Sequence, residues 1–215
     1  MIQLPSMPKS IAKLPRDDRG YPVPWFVAWV NGKPEFRCAD GDKQRLAITE
    51  KRCWVCGEHI GHNPTFVVGT ASLINRCHGE PACHYECGLF SALACPFLTL
   101  PKAQRREANL PNGTVTSGVA IERNPGCCVL WVCRSKKDAY QLFRHGQGFL
   151  WSLPNPLRLE FYAEAKPATR DVIESSLNSA RDLLEIEARK DGPPCVAELN
   201  RLHLAAYALL PGDAK

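Results

Sequence analysis

The ten residues "CWVCGEHIGH" (53–62) bring two cysteines and two histidines close together in the sequence. Cys53 and Cys56 are separated by two residues and followed directly by Gly57, which is the pattern of a zinc knuckle. Two thiolates at this spacing can bind one ion from a tight turn. The glycine allows the backbone to curl so that its amides point at the sulfur atoms. The stretch therefore predicts two ligands of a metal site.

Zinc takes four nitrogen or sulfur ligands in a tetrahedron, so two more ligands must come from elsewhere in the chain. In "PACHYECGLF", His84 and Cys87 can supply these two ligands, because positions i and i+3 lie on one face of the first turn of a helix. The helix dipole at that turn also favours a thiolate. Cys83 would share a helical face with Cys87, and Cys77 and His78 lie nearby. The residues alone therefore leave the second ligand pair open, with His84 and Cys87 preferred.

The remaining cysteines and the two knuckle histidines have simpler interpretations. We interpret His59 and His62 as surface loop residues rather than ligands. Six cysteines within or beside apolar runs are predicted to pack in the core: Cys38, Cys95, Cys127, Cys128, Cys133 and Cys195. Four protein ligands leave a zinc ion no open position for water or substrate, which is typical of structural sites, so we expect about one structural zinc per chain.

The composition is that of a globular protein with a mild positive charge. Of 215 residues, 45% are hydrophobic, and 27 Lys and Arg face 22 Asp and Glu, for a net charge of +5. The basic residues are spread over the chain, whereas nucleic-acid binders usually have a denser basic stripe or tail. A protein partner is therefore favoured over nucleic acid, with weak nonspecific nucleic-acid binding still permitted.

The start of the chain predicts neither export nor membrane insertion. Its first twenty residues contain prolines and charges but no apolar run of signal-peptide length, and no stretch approaches the roughly 18 apolar residues that span a bilayer. We therefore expect a cytoplasmic location, where thiols stay reduced. The 11 cysteines then indicate metal ligands and core residues rather than a disulfide framework.

The first half of the chain predicts two hairpins and two helices. Segments 25–29 and 35–38 flank Asn31-Gly32, a pair that favours the positive φ values of a type I′ turn. Residues 40–52 are polar and are predicted to form one short helix. In "TFVVGTASLIN", two apolar runs broken at Gly69-Thr70 predict a second hairpin. "HYECGLFSALACP" has helical spacing, and Pro96 ends that helix.

The second half predicts strands followed by two helices. A central strand is predicted for "GCCVLWVCR", which is apolar on both faces. A hairpin is predicted for "YQLFR" and "FLWSL", which flank "HGQG", and a further strand for "LRLEFYAE". A helix capped by Thr169 has one apolar stripe and ends near Gly192, and a last helix completes an αα-hairpin. Residues 98–117 are predicted to be a linker between a unit at 1–97 and a unit at 118–215.

A knuckle, a hairpin and then a helix with the second ligand pair resemble the treble clef zinc finger superfamily over residues 53–95. The expected fold is α+β, with a treble-clef zinc module and an antiparallel sheet packed against the C-terminal αα-hairpin. The order of the motifs "LPRDDRGYPVPWFVAW", "CWVCG", "HYEC", "CPFL" and "FYAEAKPATRDVIESS" is also similar to a family of uncharacterised zinc-containing proteins from bacteriophages and actinobacteria. That resemblance implies Cys53, Cys56, His84 and Cys87 as the ligands, but no activity.

Two enzyme classes, the HNH nucleases and the zinc deaminases, have motifs that can be compared with those of this sequence. Treble clefs include the HNH nucleases, for which Asn75 and His78 are the available residues, but no Asp-His pair precedes them and His84 is assigned to zinc. "HGEPACHYEC" differs from the zinc deaminase signature, because Cys83 and Cys87 have three residues between them instead of two. Walker, dinucleotide-binding, nucleophile-elbow and zincin motifs do not occur in the sequence.

The sequence thus favours a non-enzymatic, zinc-stabilised binding protein, of a phage or mobile-element accessory type, that acts on a host protein or nucleic acid. The alternative is a metal-dependent nuclease of HNH-like treble-clef type. The basic residues considered for nucleic-acid contact are Arg16, Arg19, Lys102, Arg105, Arg106, Lys136 and Lys137.

Overall fold

The computed structural model describes residues 4–101, 103–104, 124, 126–146 and 148–212. The helices are α1 (Lys9–Ala12), α2 (Gly41–Thr49), α3 (Thr70–Asn75), α4 (Tyr85–Ala94), α5 (Pro96–Thr99), α6 (Lys136–Ala139), α7 (Arg170–Asp191) and α8 (Pro193–Tyr207). The strands are β1 (Val27–Val30), β2 (Lys33–Ala39), β3 (Thr65–Gly69), β4 (Cys77–His78), β5 (Cys128–Val132), β6 (Leu142–His145), β7 (Gly148–Ser152), β8 (Arg158–Ala163) and β9 (Lys166–Pro167). The predicted α+β class is confirmed.

The strands form antiparallel sheets in three groups. β1 pairs with β2, the larger sheet has the order β3-β5-β8-β9, and a further sheet has the order β4-β7-β6. The turn between β1 and β2 has Asn31 at φ 51° and Gly32 at φ 75°, the two positive values that a type I′ turn requires. The predicted hairpin at Asn31-Gly32 is therefore confirmed, as is the predicted hairpin formed by β6 and β7.

Strand β5 is the centre of the larger sheet, and all five of its residues are buried. Alternate side chains of a strand point to opposite faces. Val129 and Trp131 contribute to the main core, which also includes Ile173 and Leu177 of α7, while Leu130 belongs to a smaller cluster packed by residues of α4. The prediction of a central strand apolar on both faces is confirmed, because helices cover both sides.

The predicted second hairpin in "TFVVGTASLIN" is wrong. β3 ends at Gly69 and the chain continues directly into α3, so β3 pairs with β5 instead of with the next residues. Leu73 and Ile74 of α3 are buried in the main core, and Thr70 Oγ1 donates a hydrogen bond of 3.0 Å to the Ser176 carbonyl of α7. Packing against α7 and α8 therefore decides the helical state of a segment whose composition also suits a strand.

The C-terminal αα-hairpin is confirmed. Ile173, Leu177 and Ala180 of the predicted stripe on α7 are buried, and α7 packs along α8. Thr169 is at the N-cap, although its side chain makes no capping hydrogen bond. Gly192 ends α7 at φ 102° and ψ 177°, a positive φ that favours glycine but lies outside the left-handed helical conformation that we expected.

The cysteines outside the knuckle region have different environments. All 11 cysteines lie within the described residues, and no disulfide bond joins any two of them there. The prediction of core packing is confirmed for Cys127, Cys128 and Cys133, whereas Cys38 and Cys95 are only partly buried. The prediction is wrong for Cys195, which is exposed, because it lies in the first turn of α8 where the helix begins at the surface.

The proposed boundary at 98–117 lies mostly outside the described residues, and the division into two units stays a prediction. Both larger sheets contain strands from either side of it, since β3 pairs with β5 and β4 pairs with β7. Within the described ranges, none of the helices has the length and apolar character needed to cross a bilayer.

Replacing Leu177 by alanine tests the packing of α7 on the sheet. Leu177 is fully buried, so Leu177→Ala should lower the free energy of unfolding by about 2–5 kcal/mol through lost burial and a cavity. Leu183 of the same helix is 42% exposed, so Leu183→Ala should change stability by no more than about 0.5 kcal/mol. Denaturant unfolding measures both values, and equal losses would contradict the described packing.

Candidate metal centre

The knuckle is a closed turn in which backbone hydrogen bonds hold Cys53 and Cys56 on the same side. The Cys53 amide donates to the Glu58 carbonyl at 2.7 Å, and the Gly57 amide donates to the Cys53 carbonyl at 2.8 Å. Arg52 and His59 pair across the turn as an isolated bridge. Gly57 has a φ of +79°, which favours glycine. The predicted role of Gly57 in the turn is therefore confirmed.

Gly57 has a second role that the sequence did not indicate. A Cβ atom at this position would lie 2.7 Å from the indole ring of Trp25, so the ring lies directly on the glycine. The Trp25 amide also donates to the Val55 carbonyl at 2.7 Å, and Phe26 stacks on Trp54 with ring centroids 4.7 Å apart. The segment before β1 therefore covers the knuckle from outside.

The second half of the site is formed where the chain returns to the knuckle before α4. The Trp54 amide donates to the Ala82 carbonyl at 3.1 Å, and Thr65 and Cys83 exchange backbone hydrogen bonds of 2.9 and 2.7 Å. His84 is the N-cap of α4 and has extended backbone angles, and Cys87 is the third residue of that helix. His84 therefore lies just before the first helical turn rather than within it.

The segment between knuckle and helix differs from the expected treble-clef outline. A β-hairpin was predicted there, but residues 65–78 form β3, α3 and β4. Thr65, at the start of this segment, forms an isolated bridge with Cys83, which follows β4 in the chain. The knuckle and the helix that follows His84 are present, and β3, α3 and β4 replace the predicted hairpin between them.

The structure brings together one ligand atom from each of Cys53, Cys56, His84 and Cys87, all within 4.8 Å of one another. His84 Nδ1 is 3.4 Å from Cys56 Sγ and 3.8 Å from Cys87 Sγ. Tetrahedral zinc, with bonds of about 2.3 Å to sulfur and about 2.1 Å to nitrogen, places its ligand atoms roughly 3.5–3.8 Å apart. Three thiols and an imidazole at this spacing could hold one metal ion.

The orientation of the His84 ring suits a metal ligand. Nε2 lies 2.8 Å from the backbone carbonyl of His59. A carbonyl can only accept a hydrogen bond, so Nε2 must carry the proton, and Nδ1 of the neutral ring is left with a free lone pair facing the thiols. Such a second hydrogen bond, which fixes the tautomer, is typical of metal-binding histidines. His59 thus contributes through its backbone, while its side chain, which we interpreted as that of a surface loop residue, is exposed.

Further polar contacts hold the sulfur atoms. The amides of Cys56 and His84 lie 3.5 and 3.4 Å from Cys53 Sγ and donate to it. Ser10 Oγ, from α1, lies 3.7 Å from Cys87 Sγ. Amides directed at the knuckle sulfur follow from the predicted turn, whereas nothing in the sequence indicated that Ser10 approaches the site from so far along the chain.

The four ligand groups of the cluster change one another's protonation. Hydrogen bonds to the sulfurs of Cys53 and Cys56 raise the pKa of His84 to about 11. Hydrogen bonds from the Cys53 and Cys87 thiols and from His84 lower the pKa of Cys56, whereas the pKa of Cys87 is raised, first by its hydrogen bond with Cys53. Without a metal, the arrangement thus favours a thiolate at Cys56 beside a protonated imidazole. A bound metal ion would take the place of these protons.

Cys77 and Cys83, the alternative ligands, do not join the cluster. Cys83 is buried and its Sγ donates to the Thr65 carbonyl at 3.2 Å, and burial raises the pKa of its thiol well above the usual value. Burial also raises the pKa of Cys77, which lies in β4. Neither residue belongs to the group whose ligand atoms lie within 4.8 Å of one another.

The residues considered for nuclease chemistry have structural contacts. Asn75 Oδ1 accepts a hydrogen bond of 2.9 Å from the Cys77 amide, and the ring of His78 lies edge-on to Phe66. In the described part of the chain, the Cys₃His cluster is the one group of three or more Cys, His, Asp or Glu with the spacing of a metal site. The structure therefore does not place Asn75 and His78 in a second metal centre.

The basic residues considered for nucleic-acid contact divide into three sets. Arg16 Nη1 donates to the Gly20 carbonyl at 2.8 Å, and Arg19 pairs with Asp17 at 2.8 Å, so both are engaged within the N-terminal segment. Lys136 and Lys137 line a surface groove. Lys102, Arg105 and Arg106 lie outside the described residues.

Comparison with known proteins adds no relative. No protein-family model, curated protein or solved structure matches the chain. The similarity to treble clefs and to the phage and actinobacterial family therefore rests on the sequence motifs alone, and the site is interpreted from its own geometry.

Removing a knuckle thiol tests the metal centre. Elemental analysis should find about one zinc per wild-type chain, and Cys53→Ser should lose most of it and leave the first half poorly folded, since structural zinc supplies folding free energy. Cys195→Ser is the matched control, because that thiol is exposed and lies in α8. Full zinc retention in a Cys53→Ser, Cys56→Ser double variant would contradict the site.

A second set of variants distinguishes the ligand pairs. His84→Ala and Cys87→Ser should each release zinc, because their ligand atoms belong to the cluster. Cys77→Ser and Cys83→Ser should retain it, and the Cys83 variant serves as a control for the loss of a buried thiol. Zinc content and the melting temperature should be measured together for all four, and the opposite pattern would assign the second pair to Cys77 and Cys83.

Proposed function

We propose that this protein is a non-enzymatic, zinc-stabilised binding protein whose Cys₃His cluster holds one structural zinc. The observation that supports this most directly is the convergence of Cys53, Cys56, His84 and Cys87 within 4.8 Å. Four protein ligands complete the tetrahedron that zinc prefers, so no position is left for water or a substrate. The ion would therefore stabilise the fold, and the function would depend on surfaces.

The surroundings of the cluster support a structural role for the ion. Cys53 and Cys87 are fully buried, and Cys56 is 8% exposed. The four residues lie on two separate segments, the knuckle and the start of α4, and α1 approaches Cys87 through Ser10. One ion at this point would cross-link segments that are far apart in the sequence, and its binding free energy would become folding free energy.

An exposed aromatic face on the β1–β2 hairpin supports a protein as the tighter partner. Trp29 is 46% exposed and Phe36 is 41% exposed. Trp29 pairs with Pro34, and Phe36 follows on β2 at the point where the register between the two strands shifts. Aromatic residues are enriched in protein interfaces and often dominate their binding energy.

The setting that we propose is that of a phage or mobile-element accessory factor in the cytoplasm that acts on a host protein, with nucleic acid as a weaker ligand. The accessory role follows from the motif resemblance described above. Binding to DNA is expected to be no tighter than micromolar at physiological salt, because nonspecific contacts to phosphates typically give values of about 10⁻⁴–10⁻⁶ M.

The hairpin face can be tested by affinity capture from host lysate. A Trp29→Ser, Phe36→Ser variant should lose the proteins that wild type retains, because it removes the exposed aromatic face. Leu204→Ser is the control, since Leu204 is an apolar side chain 72% exposed on α8. Capture should persist after nuclease treatment of the lysate.

Three outcomes would contradict this function. Capture that disappears with nuclease treatment, or that is the same in the hairpin variant, would show that the hairpin does not bind a protein. Cleavage of DNA or RNA that requires an added divalent metal, and stops with a chelator, would support the nuclease alternative. The zinc-loaded wild type should cleave neither.

A further inference from the structure

A basic groove of about 460 Å³ lies beside the knuckle. One wall consists of residues that flank the knuckle, and the other follows strand β5. The residues that line it are Lys51, Gly61, His62, Arg134, Ser135, Lys136 and Lys137. Four of these seven are lysine or arginine, although they come from two distant parts of the sequence.

The two walls are tied together by hydrogen bonds. Asn63 Nδ2 donates to the carbonyls of Cys133 and Arg134 at 3.1 and 3.4 Å. The Cys133 amide donates to the Pro64 carbonyl at 2.8 Å. The Ile60 amide donates to the Lys51 carbonyl at 3.0 Å and so closes the knuckle next to the groove. The groove is therefore preformed in the folded protein, and its knuckle wall rests on the proposed zinc centre.

The cations of the groove lack acidic partners. In the described part of the chain, Lys51, Arg134, Lys136 and Lys137 form no ion pair. Asp138 lies beside the lining, and its carboxylate accepts a hydrogen bond of 2.7 Å from Ser135 Oγ but forms no ion pair with a groove cation among the described residues.

Many basic residues elsewhere are paired with carboxylates. Those with an ion pair are Lys13, Arg19, Lys43, Arg45, Arg52, Arg158, Arg170, Arg181, Arg189, Lys190 and Arg201. The groove thus holds positive charge that the protein does not neutralise by itself. A preformed concentration of such charge attracts an anionic ligand.

We propose that this groove binds the phosphate backbone of nucleic acid without reading its sequence. No apolar side chain is among the residues that line it, whereas a protein partner is usually held by an apolar and aromatic core. Lysine, arginine and serine side chains are those that typically contact phosphate oxygens. The lining therefore fits a phosphate backbone better than an acidic protein.

The composition of the groove also predicts that this binding is weak. Lys51, Arg134 and Lys137 are exposed, so each gains only a screened interaction with a phosphate. No acidic side chain lines the groove to accept hydrogen bonds from a base. This inference deepens the proposed function, since it assigns the weaker ligand to a surface distinct from the aromatic face of the hairpin.

Two charge-matched variants test the assignment. The groove variant Lys51→Gln, Arg134→Gln, Lys137→Gln and the control variant Arg189→Gln, Lys190→Gln, Arg201→Gln each remove three positive charges, and the control residues are exposed and paired on α7 and α8. Fluorescence anisotropy with labelled duplex DNA of arbitrary sequence should give at least a tenfold higher Kd for the groove variant at low salt, but less than a threefold change for the control.

The salt dependence gives a second measurement. Each phosphate contact contributes about −0.9 to the slope of log K against log salt concentration, so the groove variant should lose roughly 2–3 from the size of that slope while the control keeps it. Equal losses in both variants would show that only net charge matters and would overturn the assignment. Failure of the wild type to bind DNA at low salt would overturn it as well.

A competition experiment and a second groove variant complete the test. Poly-glutamate of the same charge should compete more than tenfold less well than DNA, and equal competition would reassign the groove to acidic proteins. Lys136→Gln with Lys137→Gln, which changes only the wall after β5, repeats the test in case the triple variant loses zinc. If the groove does not bind nucleic acid, the proposed protein-binding function is unaffected. Nanomolar, sequence-selective DNA binding that survives about 200 mM salt would instead contradict that function.

Discussion

The convergence of three thiols and one imidazole is the constraint on which the rest of the first half depends. Cys53 and Cys87 are completely buried although they lie on different segments, and the segment before β1 closes over the knuckle through Trp25. Without a metal, the thiols and the imidazole share protons, and hydrogen bonds to the sulfurs of Cys53 and Cys56 raise the pKa of His84 to about 11. One divalent ion can satisfy all four groups at once, whereas protons leave them in a mixture of charged and neutral forms.

The sheet positions the helix that completes this site. Gly88 of α4 allows the helix to approach closely, because a Cβ there would lie 3.2 Å from both Cys83 Sγ and a methyl group of Val67. Cys83 in turn pairs with Thr65 at the start of β3. Because β5 continues that sheet toward the second half, the position of Cys87 depends on strands that are distant in the sequence.

Local chemistry decided which features were predictable from the sequence. The Asn31-Gly32 turn and the knuckle are set by glycine and its neighbours, so their residues were sufficient to predict them. Helix α3 was missed because six residues with strand-like composition become helical only through packing on α7 and α8. Ser10 was missed for the same reason, since its approach to Cys87 is a long-range contact.

The groove and the metal centre share the knuckle, and this connects stability with binding. Lys51 and Arg134 lie in one groove without acidic partners, so their mutual repulsion opposes folding. The hydrogen bonds of Asn63 and the closure of the knuckle at Lys51 hold them there against that repulsion. A structural ion that rigidifies the knuckle would thus also maintain the charged surface beside it. Zinc in this protein would then serve binding by holding the knuckle wall of the groove in place, without taking part in any chemical step.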